Sequence, residues 1–175
     1  MTESTREAPE VKEPGAAVHR IAVPPVARAL CTLSDIAYAD AFLLETGLAV
    51  QCSAEQCGRV VLAGAPLAAR VRLQLGWSAI GLKPAVSGSS RSILGWEIRS
   101  STNEFVLLGR DSLIGMPGEL LFKRDSDSVL FCTFLQHNNV VARAIWASIE
   151  TTHVRIVRDL LEQSRHRLTH AGDHK

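Results

Sequence analysis

The longest uninterrupted segment of this sequence runs from Val140 to about Arg167 and contains neither proline nor glycine. At about 100° per residue, apolar side chains recur on one side of a helical wheel along the whole segment. The stripe consists of Val141, Ile145, Ile149, Thr152, Ile156 and Leu160, with Trp146, His153 and Val157 at its edge. The pattern predicts a long amphipathic helix, with Asn138 or Asn139 as its N-cap, that covers a large apolar surface.

A sheet that can supply this surface is predicted from four runs of strand-forming residues that precede the helix. Only short turns separate the runs, and short connections favour hairpins, so we expect an antiparallel meander. The runs are Ile93 to Ser100, Glu104 to Ser112, Gly118 to Arg124 and Ser128 to His137. An alternating run earlier in the chain, Asp35 to Leu44, predicts a first strand.

Two short helices are predicted between the first strand and the meander. Ser53 and Gln56 have the spacing of a capping box, in which each side chain accepts from the backbone N–H of the other residue. Pro66 suits the first turn of the second helix. Apolar residues that recur there at roughly helical intervals predict one buried face, made of Leu67, Val71, Leu75 and Trp77.

The predicted fold class is therefore α+β, with a curved antiparallel sheet wrapped around a long C-terminal helix and two short helices after the first strand. The chain of 175 residues, 46 % of them hydrophobic, is sufficient for one domain with a sizeable core. We expect residues 1–29 to be a disordered N-terminal tail, 30–168 the domain and 169–175 a disordered C-terminal tail. The apolar piece Ile21-Ala22-Val23 is able to attach the N-terminal tail to the domain.

The charge balance disfavours two classes of partner. The formal net charge is +1, so no long-range field attracts nucleic acid or an anionic membrane. No apolar run approaches the roughly 18 residues of an integral membrane segment. The polar N-terminus lacks the apolar core of a signal peptide, so we expect a cytoplasmic protein. We also expect it to be a monomer or a homodimer.

The cysteines do not form a recognisable metal or disulfide pattern. Only Cys52 and Cys57 are close in sequence, and their spacing is not that of a zinc-binding pair. We expect all four cysteines to be reduced and mostly packed, and we expect no metal and no cofactor. The four are Cys31, Cys52, Cys57 and Cys132.

The predicted order of strand, two helices, meander and long C-terminal helix resembles the helix-grip fold of the START and polyketide-cyclase superfamily (SRPBCC proteins). Three segments, Tyr38 to Phe42, Ile93 to Ile98 and Ala144 to His153, are similar to a bacterial family of unknown function placed near that superfamily. The resemblance spans about Ser34 to Arg167 and implies an apolar ligand cavity between the sheet and the C-terminal helix. No catalytic residues are established for that family, so none is carried over, and fold alone does not determine function.

His153 is the first candidate for a functional side chain, because it lies at the edge of an otherwise apolar stripe. Its imidazole either has a structural role, bonded to a backbone carbonyl or to Tyr38, or it orients a ligand or moves a proton near neutral pH. A metal-binding role is disfavoured because no second His, Cys or carboxylate follows four residues later on the same face.

Tyr38 and Asp40 are the next candidates, since residues i and i+2 of a strand point to the same side. If that side is inward, Asp40 is a buried carboxylate that needs a donor; otherwise it is solvated near a strand end. Trp96 is expected on the buried face, either as core or as a platform for a ligand. The candidate catalytic residues are thus His153, Tyr38 and Asp40, and the candidate ligand-binding residues are His153, Tyr38, Trp96, Trp146 and Ile149.

Three functions are compatible with this sequence. The first is the binding of a small apolar or lipid-like ligand between the sheet and the C-terminal helix. The second is a cyclase or dehydratase type of enzyme in the same cavity, with His153 as acid or base and Tyr38 or Asp40 as helper. The third is a non-catalytic protein-interaction domain whose interior is filled by side chains. An interior filled by side chains leaves only the third function, whereas a cavity of a few hundred Å³ is compatible with the first two. Convergence of His153 with Tyr38 or Asp40 inside that cavity favours the second.

Overall fold

A computed structural model describes residues 17–47, 49–83 and 91–170. For residues 169 and 170 it describes the backbone alone. The strands of this part are β1 (Val18–Ile21), β2 (Tyr38–Glu45), β3 (Ser92–Ile93), β4 (Trp96–Ser101), β5 (Phe105–Arg110), β6 (Gly118–Arg124) and β7 (Ser128–Leu135). The helices are α1 (Pro25–Leu30), α2 (Ala54–Gly58), α3 (Leu67–Ala79) and α4 (Val140–His170). A π-helical turn, Arg59–Ala63, continues α2.

The strands form one antiparallel sheet in the order β1-β2-β7-β6-β5-β4-β3. The predicted α+β class, the antiparallel meander and the long C-terminal helix are confirmed. The first predicted strand, β2, pairs along its whole length with the last strand, β7, and places Asp40 opposite Thr133. The sheet is open, because β1 and β3 are its edges.

One face of the sheet carries the main apolar core and is covered by α2, the π-helical turn and the C-terminal half of α4; we call it the helix-covered face. Its strand residues alternate with those of the opposite face, as the pleat requires. Large side chains from the strands and from α4 fill this core, among them Phe42, Trp96, Phe122, Phe131 and Leu161.

The opposite face, which we call the outer face, is covered by the N-terminal part of the chain. The structure differs here from the predicted disordered tail, because β1 pairs with β2 and residues 25–30 form α1. Ile21 and Val23 pack with Ala27 against outer-face residues such as Phe134, so the apolar piece does attach the chain to the sheet. Pro25 suits the first helical position, where its missing N–H has no intrahelical partner anyway. Residues 1–16 and 171–175 lie outside the described residues, and 169 and 170 belong to α4.

Helix α4 is present as predicted, but it is rotated relative to the predicted stripe. Val141 and Thr152 are exposed, whereas Trp146 and Val157, which were placed at the edge of the stripe, are buried. A helical wheel weights every apolar residue equally, whereas the large indole of Trp146 decides which side enters the core. Of the two candidate N-caps, Asn139 has this role, since its Oδ1 accepts from the Ala142 N–H at 2.8 Å.

The two short helices are confirmed in part. Ser53 and Gln56 form the predicted capping box at the start of α2. In α3, however, the predicted buried face is largely exposed: Leu67 is 68 % and Leu75 is 65 % accessible. Of the predicted face only Trp77 packs against the core, and Leu73 joins it there; both are partly buried. Of the described helices, none is long and apolar enough to cross a membrane.

Candidate functional site

Four polar side chains of the sheet and of α4 meet on the helix-covered face. Asp40 lies next to Phe42 on the inward side of β2, and only 2 % of it is exposed. Of the two environments predicted for Asp40, buried or solvated, the structure shows the buried one. Tyr38 precedes it on the same side, Thr133 faces it from β7, and α4 places His153 above both strands.

The contacts within this group converge on one carboxylate oxygen. The Tyr38 hydroxyl donates to Asp40 Oδ2 at 2.8 Å. His153 Nε2 lies 3.3 Å from the same Oδ2 and 3.3 Å from Thr133 Oγ1. The second oxygen, Asp40 Oδ1, is buried and has no hydrogen-bond partner in the described part of the chain. Asp40 thus binds strongly through one oxygen and leaves the other unsatisfied.

The electrostatics agree with an ionised Asp40. Burial by itself raises the pKa of this carboxyl, but the hydrogen bond and charge of His153, together with the hydrogen bond from Tyr38, hold its pKa below the usual value. Burial and the adjacent Asp40 charge raise the pKa of Tyr38 well above its usual value. Tyr38 is therefore a proton donor to Asp40 at neutral pH and not a base.

Aromatic rings surround this polar group. The Trp146 ring lies 4.7 Å from that of Tyr38 and 5.0 Å from the imidazole of His153. Ile149 and Tyr38 pack, both partly buried, on the small cluster that contains Trp146. The Trp146 Nε1–H is buried and has no acceptor among the residues that the structure describes. Four of the five predicted ligand-binding residues therefore lie together: Tyr38, Trp146, Ile149 and His153.

His153 is held on one side and open on the other. Nε2 faces Asp40 and Thr133, while 19 % of the side chain remains exposed to solvent. Within residues 17–47, 49–83 and 91–170, no hydrogen bond is made by Nδ1. An imidazole oriented by a buried carboxylate through one nitrogen can bind a ligand or exchange a proton through the other.

Trp96, the fifth predicted ligand-binding residue, lies elsewhere on the helix-covered face. It packs edge-to-face against Trp77, with ring centroids 5.4 Å apart. Between these rings lies the guanidinium of Arg110, 4.8 Å from the Trp77 ring and 5.3 Å from the Trp96 ring. Trp96 is therefore part of the core around a buried arginine rather than part of the Tyr38–Asp40–His153 group.

Arg110, of which only 2 % is exposed, was not among the candidate residues predicted from the sequence. Its guanidinium donates to Gly95 O at 2.7 Å, to Leu94 O at 3.1 Å and to Gln74 Oε1 at 3.1 Å. Burial lowers its pKa to about 10. A signal was present, since the alternation of β5 puts Arg110 on the same face as the buried Leu108.

Glu119 on the outer face was missed as well. It is fully buried and receives the Thr32 N–H at 2.8 Å, the Thr32 hydroxyl, and Arg99 Nη1 at 2.6 Å. The alternation of β6 places Glu119 on the same face as Leu121, but the N-terminal segment that covers this face was expected to be a disordered tail. Only the unexpected N-terminal cover turns Glu119 into a buried charge.

A small groove lies between α3 and α4. It has a volume of about 90 Å³ and is lined by Ala69, Arg72, Leu73, Ile156, Asp159, Leu160 and Gln163. Ligand sites commonly measure roughly 300–1,000 Å³. This groove also lies between two helices, so it is not the cavity that the sequence predicts between the sheet and α4.

In the described residues, no group of three or more His, Cys, Asp or Glu side chains is arranged to hold a metal ion. Comparisons with protein-family models, with curated proteins and with solved structures found no match to this chain.

Proposed function

We propose that this domain binds a small apolar or lipid-like molecule beside His153, at the place where α4 crosses the helix-covered face. The proposal rests on two buried polar atoms that lack partners in the described structure, Asp40 Oδ1 and Trp146 Nε1. Buried polar atoms are almost always hydrogen-bonded, so such an exception calls for a water, an ion or a ligand.

The two residues that carry the unsatisfied atoms, Asp40 and Trp146, both contact Tyr38. Tyr38 bonds to Asp40 through its hydroxyl and contacts Trp146 through its ring. One is an acceptor and the other a donor, so together they fit a ligand hydroxyl, which donates to Asp40 Oδ1 and accepts from Trp146 Nε1. The rings and Ile149 fit an apolar or aromatic body.

The strand order supports a START-like assignment of the same site. The strand that precedes the two short helices, β2, pairs with the last strand, and β6, β5, β4 and β3 follow in turn. The final helix then crosses the face that these helices also cover. This is the order expected of a helix-grip fold, in which the ligand lies between the sheet and the C-terminal helix.

The experiment is native mass spectrometry of the purified protein, followed by extraction and identification of any small molecule that remains bound. Trp146→Phe removes the unsatisfied Nε1–H and keeps most of the ring. Trp96→Phe is the matched control, because its Nε1 is also buried without a partner but lies beside Arg110. We expect ligand recovery to fall several-fold in the first variant and to stay unchanged in the second.

Two results contradict the proposal. One is equal ligand loss in both tryptophan variants at unchanged melting temperature. The other is a protein without bound molecule that shows no thermal shift with a panel of apolar hydroxyl compounds. The second result favours instead a protein-interaction domain, for which the exposed Leu67, Val71 and Leu75 on α3 provide an apolar surface.

The Asp40–His153 contact favours a second candidate, an enzyme of the cyclase or dehydratase type in the same site. Asp40 orients the imidazole of His153 through Nε2, so Nδ1 is the nitrogen placed to exchange a proton with a bound ligand. The recovered ligand, incubated with the wild-type protein and with His153→Gln, distinguishes the two. Conversion by the wild type alone establishes an enzyme, and an unchanged ligand in both samples leaves the binding function.

A further inference from the structure

Two cysteines at the N-terminal end of α2 have their sulfur atoms close together, and neither core packing nor the proposed ligand site explains this short distance. Cys52 directly precedes the N-cap residue Ser53, and Cys57 lies one helical turn further on. Both thiols are free and buried in the core of the helix-covered face. Their sulfur atoms are 2.8 Å apart.

The distance between the two sulfur atoms is shorter than a van der Waals contact and longer than a covalent disulfide bond. Packed carbon atoms stay roughly 3.5–4.0 Å apart, and sulfur is larger, whereas a disulfide bond measures about 2.05 Å. The capping box holds the two residues in this position: the Ser53 N–H donates to Gln56 Oε1 at 2.8 Å, and the Cys57 N–H donates to Ser53 O at 2.9 Å. The backbone therefore presents the two thiols to each other before any bond forms.

The two thiols are chemically unequal. A hydrogen bond from Cys57 lowers the pKa of Cys52 to about 7 against the opposing effect of burial, and the charge of Arg124 adds to the lowering. The guanidinium of Arg124 is fixed by donation to Val50 O at 2.8 Å. The same hydrogen bond, together with burial, raises the pKa of Cys57 well above its usual value. Cys52 is thus the thiolate and Cys57 the proton donor.

The other two cysteines have the opposite character. Burial is the main cause that raises the pKa of both Cys31 and Cys132 to about 12, with hydrogen bonding to Glu119 adding to it for Cys31 and the charge of Asp40 adding to it for Cys132. Neither has a second thiol within hydrogen-bond distance in the described structure. They are therefore internal controls for any reaction specific to the pair.

We propose that Cys52 and Cys57 are a modification site that forms a reversible intramolecular disulfide, with hydrogen peroxide as the oxidant. The Cys52 thiolate attacks one peroxide oxygen, the O–O bond breaks, and hydroxide leaves, which gives a sulfenic acid at Cys52. Cys57 sulfur then displaces the sulfenic oxygen, which leaves as water with the Cys57 proton. In total, two thiols lose two electrons and two protons, and one peroxide becomes two waters.

The burial of the pair fits this order of events. Cys52 is 5 % exposed and Cys57 is fully buried, so a small oxidant reaches Cys52 first. Within the described chain no third His, Cys, Asp or Glu completes a metal site with the two thiols. The geometry is therefore that of a redox pair rather than of two metal ligands.

The test is titration of the purified full chain with hydrogen peroxide, followed by intact mass measurement and peptide mapping. We expect the loss of two hydrogen atoms and a peptide that joins Cys52 to Cys57, both reversed by dithiothreitol. In Cys57→Ser, the reaction should stop at a Cys52 sulfenic acid that dimedone traps. Cys31→Ser and Cys132→Ser should form the disulfide at the wild-type rate.

A measurement on the wild-type chain alone covers the case in which a buried serine prevents folding. At neutral pH, alkylation followed by peptide mapping should modify Cys52 faster than Cys31 and Cys132, since the pKa is lowered for Cys52 and raised for the other two. Preferential oxidation of Cys31, disulfides between two chains, or overoxidation of Cys52 without the Cys52–Cys57 linkage would each overturn the proposal. None of these results depends on the ligand site.

Discussion

Each face of the sheet buries one carboxylate, and the two are satisfied in different ways. On the outer face, Glu119 binds through both oxygens, to the Thr32 N–H and hydroxyl and to Arg99. On the helix-covered face, Asp40 binds Tyr38 and His153 through Oδ2 alone, and its Oδ1 has no partner in the described structure. Both carboxylates are almost completely inaccessible to solvent.

The difference in hydrogen bonding separates a structural contact, made by Glu119, from a candidate functional site around Asp40. The guanidinium of Arg99 pairs with Glu119 Oε1 at 2.6 Å and completes the contacts of that carboxylate. His153 contacts Asp40 through Nε2 alone, at 3.3 Å, and its side chain remains partly exposed to solvent. The first arrangement fastens residue 32, which follows α1, to the sheet, and the second leaves unused bonding capacity beside aromatic rings.

Removal of the Arg99 guanidinium should have the largest effect on the free energy of unfolding. Arg99→Met leaves Glu119 buried without its counter-ion, which we expect to lower the free energy of unfolding by about 3 kcal/mol. Urea denaturation measures it, and Arg158→Met on the exposed side of α4 should change it little. Equal stability of the two variants would show that Thr32 alone suffices for Glu119.

Displacement of Arg99 should have the next largest effect. A β-carbon on Gly109 would lie 1.9 Å from Arg99 Nε, so Gly109→Ala must push the guanidinium away from Glu119. We expect a loss of about 2 kcal/mol in urea denaturation. Gly76→Ala is the matched control, because nothing lies within 4 Å of a β-carbon at that helical position, and it should stabilise the chain slightly. If Arg99→Met is already present, Gly109→Ala should cost less.

On the other face, Asp40→Asn should cost about 1.5 kcal/mol at pH 7, because it weakens the hydrogen bonds from His153 and Tyr38. The pKa of Asp40 is lower in the folded chain than in the unfolded chain, where it is near 3.8. Its stabilisation is therefore complete above that value and is lost as the pH falls through the lower, folded value. The difference between wild type and variant, measured by urea denaturation from pH 7 to pH 3, should shrink below about pH 4. A difference that is constant over this range contradicts an ionised Asp40.

The smallest change should come from Tyr38→Phe, which removes one donor to Asp40 and costs about 1 kcal/mol. Tyr38 is the one tyrosine in the sequence, so tyrosinate absorbance reports on it alone. Its raised pKa should keep the wild-type phenol protonated until the chain unfolds in alkali. In Asp40→Asn the phenol should ionise at lower pH, and an identical titration in both proteins would contradict the Tyr38–Asp40 contact.

The sequence predicted most of the candidate site because its members occupy regular positions. Tyr38 and Asp40 share a face through the strand period, and Trp146, Ile149 and His153 share a side of α4 through the helical period. Trp96 lies on the buried face as predicted, but as part of the core at the other end of the sheet. Which inward residues are neighbours depends on strand order, and periodicity contains no information about that order.

By itself, the sequence determined the elements whose signals are local. The proline-free and glycine-free run predicts α4, the Ser53–Gln56 spacing predicts the start of α2, and short turns predict the meander. The tertiary structure alone decided the rotation of α4, the exposure of Leu67 and the cover of the outer face by α1 and the residues that flank it. The burial of Glu119 and Arg110 follows from that same packing. These outcomes depend on contacts between segments far apart in the chain, where the apolar area buried by one packing arrangement outweighs local preference.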